Sequence, residues 1–302
     1  MNKKVAVLLV TFLVLIGLSA GVLALSGKSG RKKAGFDVIA SFYPVYIMAE
    51  NICDGVDGVN VSNMTPNQTG CLHDYQITTE DMKKLENADV FILNGGGMET
   101  FVEKVVSEIP SFSLIYTDDG VDMLPSEEEE GEFNAHAWLD PARYKKQVEN
   151  LAKGLSGYDP ANNDKYMENM EKYIEKIDEV AAAYAEFAGS VTERRSTVIF
   201  HEAFSYLPVF APVDVLAEVE APGDNSALSA GELAEVVDTV NAENIDFIIV
   251  EEQYRLSVAD RIAEETGADV LVLDSLVTGN GAKDAWISGM NDNLEKLRVY
   301  FQ

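Results

Sequence analysis

From Phe36 onward, short runs of β-branched and large apolar residues alternate with longer stretches in which apolar positions recur every three or four residues. The first pattern predicts strands, the second amphipathic helices. Strands are expected at 37–40, 59–64, 90–93 and 112–116, and the same rhythm returns at 197–200, 213–217, 247–251 and 270–273. Strands that alternate with helices build a mostly parallel sheet covered by helices. The chain therefore reads as α/β, with two lobes that each hold a mostly parallel sheet flanked by helices.

Local end signals sharpen the helices. Thr78 with Asp81 and Ser229 with Glu232 form capping boxes, and Asp140-Pro141 pairs a cap with a proline at the first helical position. Asp159 and Pro160 repeat that signal, and Gly189 supplies a stop, so a helix of nearly thirty residues is expected between the two series of strands. Its apolar positions, Tyr166, Met170, Tyr173, Ile177, Val180, Tyr184 and Phe187, step by fours and threes along one face. At about 1.5 Å per residue it would exceed 40 Å, long enough to serve as a rigid strut between the lobes. A coiled-coil dimerisation helix is the alternative, weakened by small residues at 181–183. The expected division is 1–35 as a signal or anchor, 36–157 as the first lobe, 158–189 as the linker helix and 190–302 as the second lobe, closing on a helix over 283–300.

The N-terminus changes the picture of where this body works. Lys3 and Lys4 precede an apolar run over 5–25, followed by Arg31, Lys32 and Lys33. This is an export signal, either cleaved or retained as a membrane anchor. Cys53 is the earliest cysteine, which excludes a lipid on an early one. In an exported chain Cys53 and Cys71 are placed to form a disulfide, worth roughly 3 kcal/mol for a loop of about 18 residues; the rival role for Cys71 is a thiolate ligand. The formal charge of −28 disfavours nucleic acid and attracts cations. The acidic stretch 118–132 reads as a solvated loop, or as a weak cation collector beside His136.

The chain has three histidines, His73, His136 and His201, each in a loop between an expected strand and helix. His201 follows the strand ending at Phe200, and Asp274 follows the strand ending at Leu273. Open α/β sheets bind ligands outside the carboxyl ends of their strands. Two ligands from each lobe would meet in the cleft, and three imidazoles with one carboxylate suit tetrahedral zinc at about 2.0 to 2.2 Å.

Ser41-Phe42-Tyr43-Pro44, His73-Asp74-Tyr75, 94–99 (Asn-Gly-Gly-Gly-Met-Glu), 136–141 (His-Ala-Trp-Leu-Asp-Pro), Phe200-His201-Glu202-Ala203-Phe204 and Val272-Leu273-Asp274 occur in this order. Over about 36–300 the chain resembles the solute-binding proteins of zinc and manganese ABC importers. The resemblance implies an extracytoplasmic, non-enzymatic carrier that holds one metal ion between two lobes joined by a long helix and hands it to a membrane permease. It puts the ligands at His73, His136, His201 and Asp274. Manganese members carry a carboxylate at the third position, whereas imidazole suits zinc, so His201 favours Zn2+, with Mn2+ or iron as the alternative. The chain departs from the family in having an acidic loop where zinc members often have a histidine-rich one, and in lacking the lipoprotein cysteine.

Asp74, Asp140 and Glu202 adjoin these motifs and are candidates to orient the imidazoles, Asp140 being equally explained as a helix cap. Trp138 and Tyr75 are expected in the cleft walls. Ser205 stands where a zinc-protease helix needs its second histidine, and no Lys-Ser or Lys-Thr pair follows Gly95 to Gly97, so neither a protease helix nor a phosphate loop is formed. A monomer is expected. A zinc hydrolase with Asp274 as base, and a surface adhesin with a structural metal, are the competing functions.

Overall fold

Among the residues described by the computed structural model (35–66, 72, 75–108, 113–126, 131–219, 229–252 and 257–301), eight strands form two four-stranded parallel sheets. Residues 1–34 of the expected signal or anchor segment at 1–35, together with Cys71, His73, Asp74 and the four glutamates at 127–130, lie outside the described residues. The first sheet holds β1 (Phe36–Ala40), β2 (Val59–Asn63), β3 (Val90–Leu93) and β4 (Leu114–Tyr116) in the order β2-β1-β3-β4. The second holds β5 (Arg195–Ile199), β6 (Val213–Glu218), β7 (Phe247–Glu251) and β8 (Asp269–Leu273) in the order β6-β5-β7-β8. Both sheets thus reverse the direction of strand addition between their first and third strands, which opens a crevice at the carboxyl ends of β1 and β3 and of β5 and β7.

Several strands start earlier than their apolar runs. Arg195 pairs with Val213 and Asp269 with Phe247, because ladder hydrogen bonds come from the backbone and tolerate polar residues at strand ends. Two of the inner strands are buried throughout: Val-Phe-Ile-Leu in β3, and Phe-Ile-Ile-Val-Glu in β7. Ending such a strand on a glutamate buries a carboxylate at the mouth of the crevice.

Helices α1 (Tyr43–Ile52), α2 (Thr79–Leu85), α3 (Val102–Glu108) and α4 (Pro141–Tyr158) belong to the first half, and α6 (Leu207–Phe210), α7 (Ala230–Ala242), α8 (Ser257–Thr266) and α9 (Ala285–Arg298) to the second. Both capping boxes are present, with reciprocal bonds between Thr78 and Asp81 and between Ser229 and Glu232. The long helix, α5, spans Asn163–Ser190. It begins later than its proline signal, since Pro160–Asn162 form a separate 3-10 turn and the Asp159 carboxylate accepts from Asn162 Nδ2 and the Tyr166 hydroxyl. Gly189 lies inside the last turn, and the helix gives way to extended backbone at Val191.

The seven apolar positions read from the sequence are all buried on α5. Asn169 on the same helix donates to the carbonyls of Ile52 and Asp54, while the Tyr184 hydroxyl donates to the Met290 carbonyl. One face of α5 therefore packs against both halves, in a contiguous apolar core that runs from Val38 through Ile177 to Leu297. The stacked rings of Tyr144 (α4) and Trp286 (α9), with centroids 4.1 Å apart, join the halves at a second place. Cys53 is a buried free thiol, where a bridge to Cys71 was expected, and burial pushes it up to about 12. Among the described residues no helix is long and apolar enough to cross a membrane.

At the crevice of the first sheet sits a second buried carboxylate. Glu99 accepts from the Ser41 hydroxyl at 2.7 Å and from the amides of Asn94 and Gly95 at 2.8 and 3.1 Å. Asn94 donates in turn to the Ala135 carbonyl, which pins the loop carrying His136, and accepts from Gln147 Nε2. Burial raises the Glu99 carboxyl to about 7 against the pull of its three donors. A carboxyl raised in the folded state binds protons more tightly there than in the unfolded chain, so its contribution is fully present below about pH 4.5 and is lost as pH rises through about 7. Relative to wild type, Glu99→Gln should gain on the order of 2 to 3 kcal/mol between pH 5 and pH 8. Urea titrations at the two pH values measure this, and an equal stability difference at both would contradict the shift.

Candidate metal centre

His201 leaves the sheet at the carboxyl end of β5, and Glu251 ends the neighbouring β7. These strands flank the crevice of the second sheet, and they bring the His201 Nδ1 to 2.8 Å from the Glu251 Oε2. The other oxygen of Glu251 accepts a short hydrogen bond from the Ser275 hydroxyl. Glu251 and Ser275 are almost wholly buried. Ser275 directly follows Asp274, so one buried carboxylate faces the His201 ring and also ties down the segment bearing Asp274.

His136 comes from the first half, between β4 and α4. Its ring is fully buried, whereas the His201 side chain is 18% exposed, so the pair is open to solvent from the His201 side. The Asn134 Oδ1 lies 3.0 Å from both the His136 backbone nitrogen and its Nδ1. Glu202 Oε1 is 3.5 Å from the same Nδ1. The two imidazoles meet edge to face with centroids 4.8 Å apart. Trp138 closes one side, its ring 5.0 Å from His136 and its indole N–H donating to the Ser275 carbonyl. The Trp286 indole donates to the Trp138 carbonyl, carrying the contact on to α9.

The structure thus brings together His136 and His201, two of the four expected ligands, from opposite halves of the chain. Asp274 is half-buried nearby in sequence, with its Oδ1 accepting from the Leu276 amide at 2.8 Å. It lines a cavity of about 250 Å3 together with Tyr43, Leu276, Trp286 and Asp292. Among the described residues no group of three His, Cys, Asp or Glu side chains is gathered as a ligand set. His73 and Asp74 lie outside the described residues, though their neighbour Tyr75 packs on Phe101 and donates to Asp81.

The expected orienting residues fall out unevenly. Glu202 faces an imidazole, but that of His136 from the other half instead of its neighbour His201. Asp140 is a helix cap: its Oδ1 accepts from the amides of Ala142 and Arg143, and its Oδ2 pairs with the Arg143 guanidinium at 2.6 Å. Asn134 and Glu251 are the partners that sequence reasoning missed. Glu251 had left a trace, as a charged residue ending a wholly apolar strand; Asn134, two residues before a histidine, had left none.

A family model described as zinc-uptake complex component A, periplasmic (ZnuA), matches residues 38–299. The chain is 29% identical over 290 residues to the zinc-binding lipoprotein AdcA of Streptococcus pneumoniae, covering 89% of this chain and 57% of that one. It thus spans little more than half of that relative's length. It is 27% identical to the high-affinity zinc uptake system protein ZnuA of Bacillus subtilis, over 90% of this chain and 89% of that protein. It is 29% identical to the iron-binding protein YfeA of Yersinia pestis, over 94% and 92%. The Zn(II)-bound ZnuA-like domain of the pneumococcal AdcA superposes with a TM-score of 0.75 at 28% identity, covering 88% of this chain and 99% of that domain.

The Glu251 arrangement makes a stability prediction. Glu251→Gln retains an oxygen facing His201 and a partner for Ser275, whereas Glu251→Leu removes the acceptor of the buried Ser275 hydroxyl, at about 1 to 3 kcal/mol, together with the oxygen that faces His201 Nδ1. The leucine variant should be less stable than the glutamine variant by about 2 kcal/mol or more in urea unfolding. Equal stabilities would show that the buried carboxylate is not holding these groups.

Proposed function

The chain belongs to the zinc-uptake complex component A family, the metal-binding solute-binding components of ABC importers, and from that premise we propose that it captures one Zn2+ outside the cytoplasm and delivers it to a membrane permease. The ligands of this reading are His73, His136, His201 and Asp274. The observation that carries it is the edge-on meeting of His136 and His201, contributed by opposite halves at 4.8 Å. Two imidazoles from segments far apart in sequence, each with a buried oxygen within 3.0 Å of its Nδ1, are arranged as ligands with supporting partners are.

Zinc is the cargo favoured by an imidazole at position 201, since imidazole suits zinc and harder oxygen ligands suit manganese. A manganese or iron carrier of the same build is the second reading, supported by the iron-binding relative, which matches as well in identity as the zinc-binding one. Asp274 would join the ion by exchanging its bond to the Leu276 amide for a metal bond. As cargo, the ion favours the closed arrangement only by its differential affinity for the two states. The acidic surface raises the local cation concentration and speeds encounter.

Elemental analysis with competition titration tests the reading. One zinc per chain is expected, with affinity falling steeply in His136→Ala and His201→Ala, and with the metal-free chain still folded. Wild-type affinity in both variants would overturn the ligand set, and unfolding on metal removal would mark a structural ion instead of cargo. Affinity should also fall on acidification through about pH 6, because protons compete for imidazoles whose ordinary pKa is about 6.5; a flat profile from about pH 7 to 5 would contradict histidine ligation. His201→Glu should move preference toward manganese, and unchanged zinc selectivity in competition would show that this position does not choose the metal.

A further inference from the structure

The groups around Asn134 leave little freedom in how its side chain is used. The His136 backbone N–H can only donate, and it points to one end of the Asn134 amide at 3.0 Å. The Glu202 backbone carbonyl can only accept, and it lies 2.7 Å from the other end. The oxygen of the amide must therefore face His136 and its nitrogen must face Glu202. That same oxygen is 3.0 Å from His136 Nδ1. Facing an oxygen that can only accept, Nδ1 has to carry the ring proton, which leaves the lone pair on Nε2. Glu202 Oε1, at 3.5 Å, is a second acceptor on the same nitrogen, and its partner oxygen is held by the Ser126 hydroxyl at 3.0 Å.

Asn134 is also the point at which the two halves grip each other beside the site. Besides the bond to the Glu202 carbonyl, its own carbonyl accepts from the Tyr206 hydroxyl at 2.6 Å, and that hydroxyl accepts from the Leu124 amide at 3.2 Å. Burial pushes the Tyr206 phenol up to about 12, so it remains a neutral donor. Glu202 and Tyr206 lie in the short turn that follows His201. Parting the halves at this seam would break the bonds that hold Asn134, and with them the setting of the His136 ring.

We infer that Asn134 is a positioning residue for metal capture: it fixes His136 as the Nδ1-protonated tautomer, in which Nε2 is the basic nitrogen, and its bond to the Glu202 carbonyl makes that setting depend on contact between the halves. This rests on the reading of His136 as a ligand. Loss of such a partner costs about tenfold to a hundredfold in metal affinity. With Glu202 remaining as a more distant acceptor, Asn134→Ala falls toward the lower end.

The test uses the full chain. Long-range 15N–1H spectra of metal-free protein labelled at its three histidines report each tautomer, with His136 assigned through His136→Gln. Wild type should show His136 protonated at Nδ1. Asn134→Ala should mix the tautomers and weaken zinc binding about tenfold. Asn134→Asp keeps an acceptor for His136 but sets a carboxylate oxygen against the Glu202 carbonyl, so the tautomer should persist while zinc dissociates about tenfold faster. Nε2 protonation in wild type overturns the proposal even if no variant folds. So does Asn134→Ala with tautomer and affinity unchanged, or Asn134→Asp with an unchanged dissociation rate. Wild-type zinc affinity in His136→Ala would instead sink the ligand reading, and the metal-free tautomer measurement would still judge how Asn134 holds the ring.

Discussion

A polar group withdrawn from water must find its partner inside the protein, and the region around His136 and His201 is organised by that requirement. Three carboxylates, Glu99, Glu202 and Glu251, are buried at or near the mouths of the two crevices. Each is met by a hydroxyl from a distant segment: Ser41 for Glu99, which also accepts from the Asn94 and Gly95 amides of its own loop, Ser126 for Glu202, and Ser275 for Glu251. These bonds do more than offset desolvation. Each is directional, so each also ties one loop to another, and two of these links bear on the histidines: Ser126 to Glu202 joins the His136 loop to the turn after His201, and Asn94 beside Glu99 holds the Ala135 carbonyl.

The two halves repeat one strand order, and the repetition explains why equivalent places in each sheet supply equivalent parts. Ser41 and Asn94 follow the strands at the first crevice; His201 and Glu251 stand at the second. Polar residues just past buried parallel strands have nowhere to go but the crevice or the neighbouring loop. In the first half that position is used for support, through the Asn94 bond to Ala135, and the imidazole comes from the loop beyond β4. In the second half the strand end supplies the imidazole itself. A common frame thus presents an imidazole by two different routes.

Much of this was legible before any coordinates. β3 and β7 stood out because continuous apolar runs have one good home, the interior of a parallel sheet, and α5 because seven apolar residues at steps of four and three leave a single face to bury. The caps at Thr78, Asp140 and Ser229 are local chemistry between residues two or three apart, so sequence suffices to find them. The start of α5 was misplaced because Asp159 is drawn to the Tyr166 hydroxyl, a contact over seven residues. The partners of the imidazoles were harder still: the link between His201 and Glu251 spans fifty residues and depends on the strand order, and Glu202 reaches the histidine of the opposite half. Nothing within a few residues of either histidine encodes such a pairing.

The packing of α5 constrains how the halves are able to part. Asn169 is bonded to the segment after α1, Tyr184 to α9, and the apolar face between them belongs to one unbroken interior. Swinging the halves like a hinged shell would expose oily surface along the whole strut, a heavy cost in water. Small slips in which side chains stay covered, or the peeling of the Asn134 seam alone, avoid most of it. Relative motion of the halves in such a molecule is a matter of loosening a rim instead of opening a jaw.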